Sequence, residues 1–175
     1  MARNWYVLIH DSNYHQSLID RISGLGVEVY SPMRTTLMPR KNRPSCQRYE
    51  VVLLPGYLML NFDPEEVHTT QITAFNGAYG FVKFGNRPPL VVPDAEIANF
   101  KQRLKDYEDD LLEKIPARIG TGASDRAITF IVSDSSVNGR KASFLALMQH
   151  IDLATGKRQK HAEVAAKRAK LRISF

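Results

Sequence analysis

The chain has 175 residues, of which 43% are hydrophobic and 24% charged, enough for one medium domain with its own core or a larger domain plus a small one. No run approaches the roughly 18 consecutive apolar residues of a membrane-spanning helix, the first residues lack a signal-peptide pattern, and the single cysteine, Cys46, has no intramolecular disulfide partner, so a cytoplasmic protein without membrane association is expected. The formal net charge of +6 is concentrated: residues 157–175 hold seven basic side chains against one acid, Glu163, and residues 1–156 sum to zero.

In chain order, Asn4–Ile9 is β-branched and aromatic and predicts a buried strand with Trp5 and Val7 on one face and Tyr6 and Leu8 on the other. Between Asn13 and Gly24, the residues Leu18, Ile19 and Ile22 fall on one helical face, which Gly24 and Gly26 end. Val27, Val29 and Tyr30 predict a second strand closed by Pro32. Residues 35–46 are polar and basic, with Pro39 and Pro44, and read as an exposed loop. Arg34, Arg40, Lys41, Arg43 and Arg48 lie in and around it with no acid between them. Gln47–Leu54 and Gly56–Phe62 follow as two strands joined at Pro55-Gly56. Asp63 then predicts a helix start, because its carboxylate can cap free N–H groups, Pro64 fits the first helical position, and Glu65 and Glu66 favour the positive end of the dipole. That helix should run to about Phe75, with His68, Thr69 and Thr70 near its middle, and stop at Asn76-Gly77. Ala78–Phe84 predicts another strand. Pro93 and Asp94 open a helix that passes Ile97, Phe100 and Leu104 into an acidic stretch holding Asp106, Glu108, Asp109, Asp110 and Glu113.

The order β-α-β-β-β-α-β-α predicts an α+β fold, an antiparallel-rich sheet flanked by helices. Residues 116–124, small and polar, read as a flexible linker. Beyond it Ala127–Val132 predicts a strand, while Ala142–Met148 suits strand or helix. Phe144, Leu147, Met148 and Ile151 fit a helical face, Thr155-Gly156 breaks the pattern, and Ala162, Ala165, Ala166 and Ala169 form a second such face. Three regions are therefore expected: a domain over 1–106, a linker over 107–124, and a small C-terminal domain over 125–175 that is either a helical hairpin or a small β-barrel.

No catalytic constellation is visible. His10, His15, His68, His150 and His161 are scattered, Cys46 has no partner at ligand spacing, and no metalloprotease, phosphate-loop or nucleophile-elbow motif occurs. Asp109-Asp110 has no second carboxylate pair to complete a cation site. The reading is a non-enzyme with no catalytic residue, no metal and no cofactor. More informative is Leu54–Met59, where Pro55-Gly56 sets a tight turn and delivers Tyr57 and Met59 onto one strand face. An aromatic beside a methionine suits an adaptable hydrophobic docking patch, with core packing as the plainer alternative.

Taken in order, Trp5-Tyr6, Pro55-Gly56-Tyr57 and Gly80-Phe81-Val82-Lys83-Phe84-Gly85 resemble the NusG/RfaH family of transcription elongation factors over about residues 4–105. Val29–Met33 and Asn61–Thr70 resemble the RfaH branch, including its conjugative-plasmid members. The resemblance implies a NusG N-terminal (NGN) domain that binds RNA polymerase as a monomer and suppresses pausing and termination. It implies that Ile9, Leu54, Tyr57 and Met59 dock on the clamp helices of the β′ subunit and that His68, Thr69 and Thr70 touch the gate loop of the β subunit. The branch has a basic and polar patch near the first helix, and at the matching start of that helix this chain has Asp11 and Ser12. The implied contacts to the non-template DNA strand then fall to His15, Arg21, Gln71, Thr73 and Asn76, with altered or relaxed specificity. For the C-terminal domain the resemblance implies a KOW-like barrel, or a helical hairpin that masks the docking surface through Phe144, Leu147, Met148 and Ile151. Ser135–Gly139 only faintly echoes the barrel's turn. A small-subunit ribosomal protein is the partner implied for a refolded barrel. The alternative reading is a sequence-tolerant nucleic-acid-binding regulator acting without polymerase, through salt-sensitive binding by the basic loop and tail.

Overall fold

The computed structural model describes the backbone of residues 3–39, 46–113 and 123–172, and the side chains of residues 3–36, 49–109, 124 and 127–156. The strands are β1 (Asn4–His10), β2 (Glu28–Tyr30), β3 (Met33–Pro39), β4 (Cys46–Val52), β5 (Tyr57–Phe62) and β6 (Ala78–Phe81). The helices are α1 (His15–Ser23), α2 (Thr69–Thr73), α3 (Asp94–Glu113), α4 (Ala123–Ser133) and α5 (Val137–Arg172).

Four strands form one antiparallel sheet in the order β2-β5-β1-β6, and β3 pairs with β4 as a separate ribbon. The central pair runs from Asn4↔Phe62 to Ile9↔Tyr57. Side chains alternate across such a pleat, and here both faces are covered. Trp5, Val7 and Met59 pack on one face with Leu53, Leu54 and Val82, beneath Ile97, Phe100 and Leu104 of α3. Tyr6, Leu8, Leu58, Leu60 and Phe62 pack on the other, beneath Leu18 and Ile22 of α1 and Ile72 of α2. This two-sided burial explains why β1 reads as a continuous apolar run.

The α+β expectation holds, and the placement of Trp5 and Val7 opposite Tyr6 and Leu8 is as expected. Several local expectations are corrected. Both described ends of the segment expected as a loop over 35–46 are strand: β3 reaches Pro39 and β4 begins at Cys46. Arg40, Lys41 and Arg43 lie outside the described residues. The ribbon stabilises itself by ladder pairing from Met33↔Val52 to Pro39↔Cys46, so it shows little apolar alternation. The helix expected from Asp63 begins only at Thr69. Asp63 instead closes a turn, accepting Glu65 N–H on Oδ1 at 3.0 Å and Val67 N–H on its carbonyl at 3.0 Å. His68 is the residue that caps α2. Strand β6 stops at Phe81, short of Phe84.

The largest correction is C-terminal. Ala127–Val132 belongs to helix α4, although its β-branched residues predict a strand. Ile128, Ile131 and Val132 all point into one cluster while Phe130 is 55% exposed, a helical period imposed by the neighbouring helices α3 and α5. Thr155-Gly156 does not interrupt α5, since one internal glycine costs a helix only about 1 kcal/mol. Helix α3 extends through residues 107–113, so this part of the expected linker is helical, and residues 114–122 lie outside the described set.

Candidate functional site

The first site is the face of the sheet that α4 and α5 cover. Its shape begins at the Pro55-Gly56 turn. Tyr57 N–H donates to Leu54 O at 3.1 Å, and Gly56, at φ +92°, turns its carbonyl to accept His10 N–H at 2.9 Å. The turn is thereby fixed to the end of β1, which brings Ile9, Leu54, Tyr57 and Met59 into one apolar surface. Leu54 and Met59 are fully buried, and Ile9 and Tyr57 are half-buried. What buries them includes Phe144, Leu147, Met148 and Ile151 of α5 together with Ile128, Ile131 and Val132 of α4. The rings of Tyr57 and Phe144 sit 5.4 Å apart at 60°. Burial pushes the Tyr57 hydroxyl above the ordinary tyrosine pKa. The structure thus brings together the four residues read as a docking patch and the four read as its cover.

Two arginines pin the elbow between α4 and α5. Arg34 of β3 donates from Nη1 to Val132 O at 3.0 Å and Asp134 O at 2.9 Å. Arg140 of α5 donates from Nη1 to Asp134 O at 2.8 Å and Ser135 O at 3.0 Å, and from Nε to Leu53 O at 2.8 Å. The carbonyls at the end of α4 lack intrahelical donors and carry partial negative charge, so they suit guanidinium groups. Arg140 is buried, and this burial, with Arg34 beside it, lowers its pKa, while Asp134 works against the shift. Sequence reading missed Arg140. Its spacing offered a signal, because residues 140, 144, 147, 148 and 151 share one helical face.

A second group lies beside the same turn. His10 Nδ1 meets Asp11 O at 2.8 Å, a carbonyl that can only accept, so this nitrogen carries the proton. His10 Nε2 then accepts from His15 Nδ1 at 3.2 Å, and His15 Nε2 accepts from the Ser31 hydroxyl at 3.0 Å. Burial lowers both histidine pKa values; for His15 the neighbouring His10 adds to it, and for His10 the Lys141 ammonium does. His15 is therefore engaged at both ring nitrogens. Of the other residues read as DNA contacts, Arg21, Gln71 and Asn76 are exposed and Thr73 is half-buried, donating to Thr70 O at 3.4 Å. They sit on α1, on α2 and just after it, on the sheet face away from α5.

His68 and Thr70 are exposed and Thr69 is half-buried. His68 Nδ1 lies 2.8 Å from the Thr70 hydroxyl and caps Thr70 N–H at 3.4 Å, so one ring nitrogen ties His68 to Thr70. Among the described residues, no group of histidines, cysteines or carboxylates is placed to hold a metal ion, and no helix is long and apolar enough to cross a membrane. The basic side chains Lys157, Arg158, Lys160, Lys167, Arg168, Lys170 and Arg172 lie outside the described set.

A sequence model of the family described as transcription termination factor nusG matches residues 3–101, more than half of the chain. Among solved structures, one of NusG from Thermotoga maritima, concerned with its domain interaction, is similar at 22% identity with a TM-score of 0.38. That similarity covers 62% of this chain and 60% of the other, so it spans about three fifths of the relative's length.

Proposed function

This chain belongs to the NusG family, and on that premise we propose that it is a transcription elongation and antitermination factor that binds RNA polymerase and suppresses pausing and termination. Ile9, Leu54, Tyr57 and Met59 dock on the β′ clamp helices, and His68, Thr69 and Thr70 contact the β gate loop. Bridging the two sides of the cleft stabilises the elongating state over the paused one, an effect of differential binding that requires no bond chemistry. Arg21, Gln71, Thr73 and Asn76 contact the non-template DNA strand. His15 serves chiefly to tie His10 at the end of β1 to Ser31 after β2, since both its nitrogens are occupied.

The observation that carries this reading is the apolar surface around Tyr57 and its closure by α5. An apolar face built from two strands and a rigid turn is suited to receive helices, and in this state it receives the chain's own. The hairpin of α4 and α5 is then a self-inhibitor. Polymerase competes with Phe144, Leu147, Met148 and Ile151 for the same surface, and apparent affinity is reduced by the fraction of molecules that remain closed.

The test is capture of core RNA polymerase by the full chain. Tyr57→Ala combined with Met59→Ala should abolish capture while circular dichroism shows the fold intact. Retained capture would refute the assigned surface. His68→Ala with Thr70→Ala should leave capture in place but remove the suppression of pausing in single-round transcription, because the gate-loop side of the bridge is lost.

A further inference from the structure

A cleft of about 560 Å³ lies along the outer edge of the sheet, where β6 has no further strand beside it among the described residues. Tyr79, Lys83, Asn86, Arg87, Pro88 and Pro89 shape it. The loop that forms its floor is held by Leu90 N–H donating to Val82 O at 2.9 Å and Val92 N–H to Trp5 O at 2.8 Å. Tyr79 is 70% exposed, the most exposed of the large apolar and aromatic side chains described. Its neighbour Gly80 has open space around it, so the backbone beside the ring is accessible. No acidic side chain among the described residues lines the cleft, while Lys83 and Arg87 bring two positive charges to it.

The structure also shows how one of those charges behaves. Arg87 is paired with the carboxylate of Asp152, which comes from α5 and is itself mostly buried. Arg87 Nη1 also lies 3.5 Å from where a side chain on Gly156 would begin, so the arginine lies along α5. An anion from the C-terminal helix therefore already occupies the arginine as a phosphate oxygen would.

An exposed aromatic ring that shares one cleft with two cations and the amide of Asn86 matches the requirements of a single nucleic-acid strand. Bases stack on a ring regardless of sequence, and cations track the backbone. A duplex keeps its bases paired and stacked, and would offer Tyr79 nothing. We propose that this cleft binds single-stranded nucleic acid, with Tyr79 as the stacking platform and Lys83 and Arg87 as phosphate contacts, and that docked α5 withholds Arg87 through Asp152. The withholding limb rests on the hairpin leaving in the proposed function, whereas the binding limb does not.

The test uses the full chain, a fluorescein-labelled twelve-residue oligothymidine and the corresponding duplex, without polymerase, so its outcome is independent of polymerase capture. Tyr79→Ala should weaken binding of the single strand about fivefold or more, and Tyr79→Phe should retain it. Lys83→Gln should weaken binding and lower the salt dependence by about one counterion. Asp152→Asn should strengthen binding by freeing Arg87, and the gain should vanish in the Asp152→Asn, Arg87→Gln double variant. Because the basic segment 157–172 can also attract the strand, a 5-iodouracil oligonucleotide is photocrosslinked in parallel, and Tyr79 should be in the crosslinked peptide. Crosslinks confined to residues 157–172, Tyr79→Ala binding like the wild type, or the duplex or a poly-glutamate peptide competing as well as the single strand would each overturn the binding limb. Unchanged affinity in Asp152→Asn would overturn the withholding limb alone.

Discussion

Tyr57 and Phe144 meet as tilted rings 5.4 Å apart, the first projecting from the turn that ends at β5 and the second from the middle of the α5 segment that covers it. Phe144 is fully buried although it belongs to the covering helix. Removing it should therefore loosen the hairpin more than the sheet. Truncating a buried phenylalanine to alanine costs about 3–5 kcal/mol, which shifts a docking equilibrium on the order of a hundredfold or more. Phe144→Ala should accordingly capture polymerase more tightly than the wild type, measured by surface-immobilised polymerase with the full chain as analyte. Equal or weaker capture by a folded variant would mean that α5 does not compete for the docking surface.

Arg140 gives a second handle on the same equilibrium without touching the apolar contact. Its guanidinium holds Leu53 O on the sheet side and Asp134 O and Ser135 O at the elbow. Hydrogen bonds to a charged group contribute about 1.5–3 kcal/mol each, partly offset by the cost of burying the charge. Arg140→Met preserves the stem and removes the donors, and should raise amide hydrogen exchange in α4 and residues 137–151 about tenfold. Arg140→Lys should fall between the two, because an ammonium cannot span three carbonyls in a planar fork. Exchange unchanged in Arg140→Met would show that the apolar contacts alone hold the elbow.

Some of this architecture was legible in the residues and some was not, for reasons that differ by element. Trp5 and Val7 separate from Tyr6 and Leu8 by strand parity alone, and the Pro55-Gly56 turn places Tyr57 and Met59 on one face, so this apolar surface could be read locally. The ribbon of β3 and β4 could not, because ladder pairing of polar residues such as Thr35 and Thr36 leaves no hydrophobic period. Thr35 is instead held from afar, its N–H and hydroxyl both donating to Glu108 of α3 at 3.3 and 3.1 Å. Helix α4 was misread for the opposite reason. Its β-branched residues favour a strand in isolation, and only the partners α3 and α5 make the helical period worth more than the local preference. That Phe144, Leu147, Met148 and Ile151 share a face was readable, but the identity of the surface they cover is a non-local fact.

The connection between α2 and β6 makes a stability prediction. Gly77 has φ +88°, and a side chain there would place its first carbon 2.5 Å from Tyr14 Cβ. The same residue accepts Asp11 N–H on its carbonyl at 2.8 Å, joining the residue after β1 to the residue before β6. Gly77→Ala meets both a left-handed backbone and a steric clash, which should together cost more than the roughly 1–3 kcal/mol of backbone strain alone. A melting temperature lower by several degrees is expected in thermal denaturation followed by circular dichroism. A change below one degree would mean that Tyr14 moves aside freely.

The chain of His10, His15 and Ser31 sets a pH dependence with a definite sign. Burial favours the neutral imidazoles, so both pKa values in the folded state lie below the unfolded value of about 6.5. The unfolded chain then binds more protons than the folded one as pH falls below that value, and stability rises with pH through this window. The contribution is complete above about pH 6.5 and is lost as pH falls toward the lowered folded values. Geometry reinforces the sign, since a proton added at His10 Nε2 would face the proton on His15 Nδ1 across 3.2 Å, and the Lys141 ammonium on α5 adds repulsion. The Asp11 backbone carbonyl, the Asp11 carboxylate and the Tyr57 backbone oppose the shift without reversing it. The melting temperature should therefore drop between pH 7.5 and 5.5, and the drop should shrink in His10→Asn, which keeps a polar side chain and removes the titrating group. A wild-type melting temperature that rises on acidification, or a variant with an equal drop, would show that the pair does not govern this window. Because Lys141 belongs to the covering helix, acidification should also raise hydrogen exchange in residues 137–151 before the sheet beneath it responds.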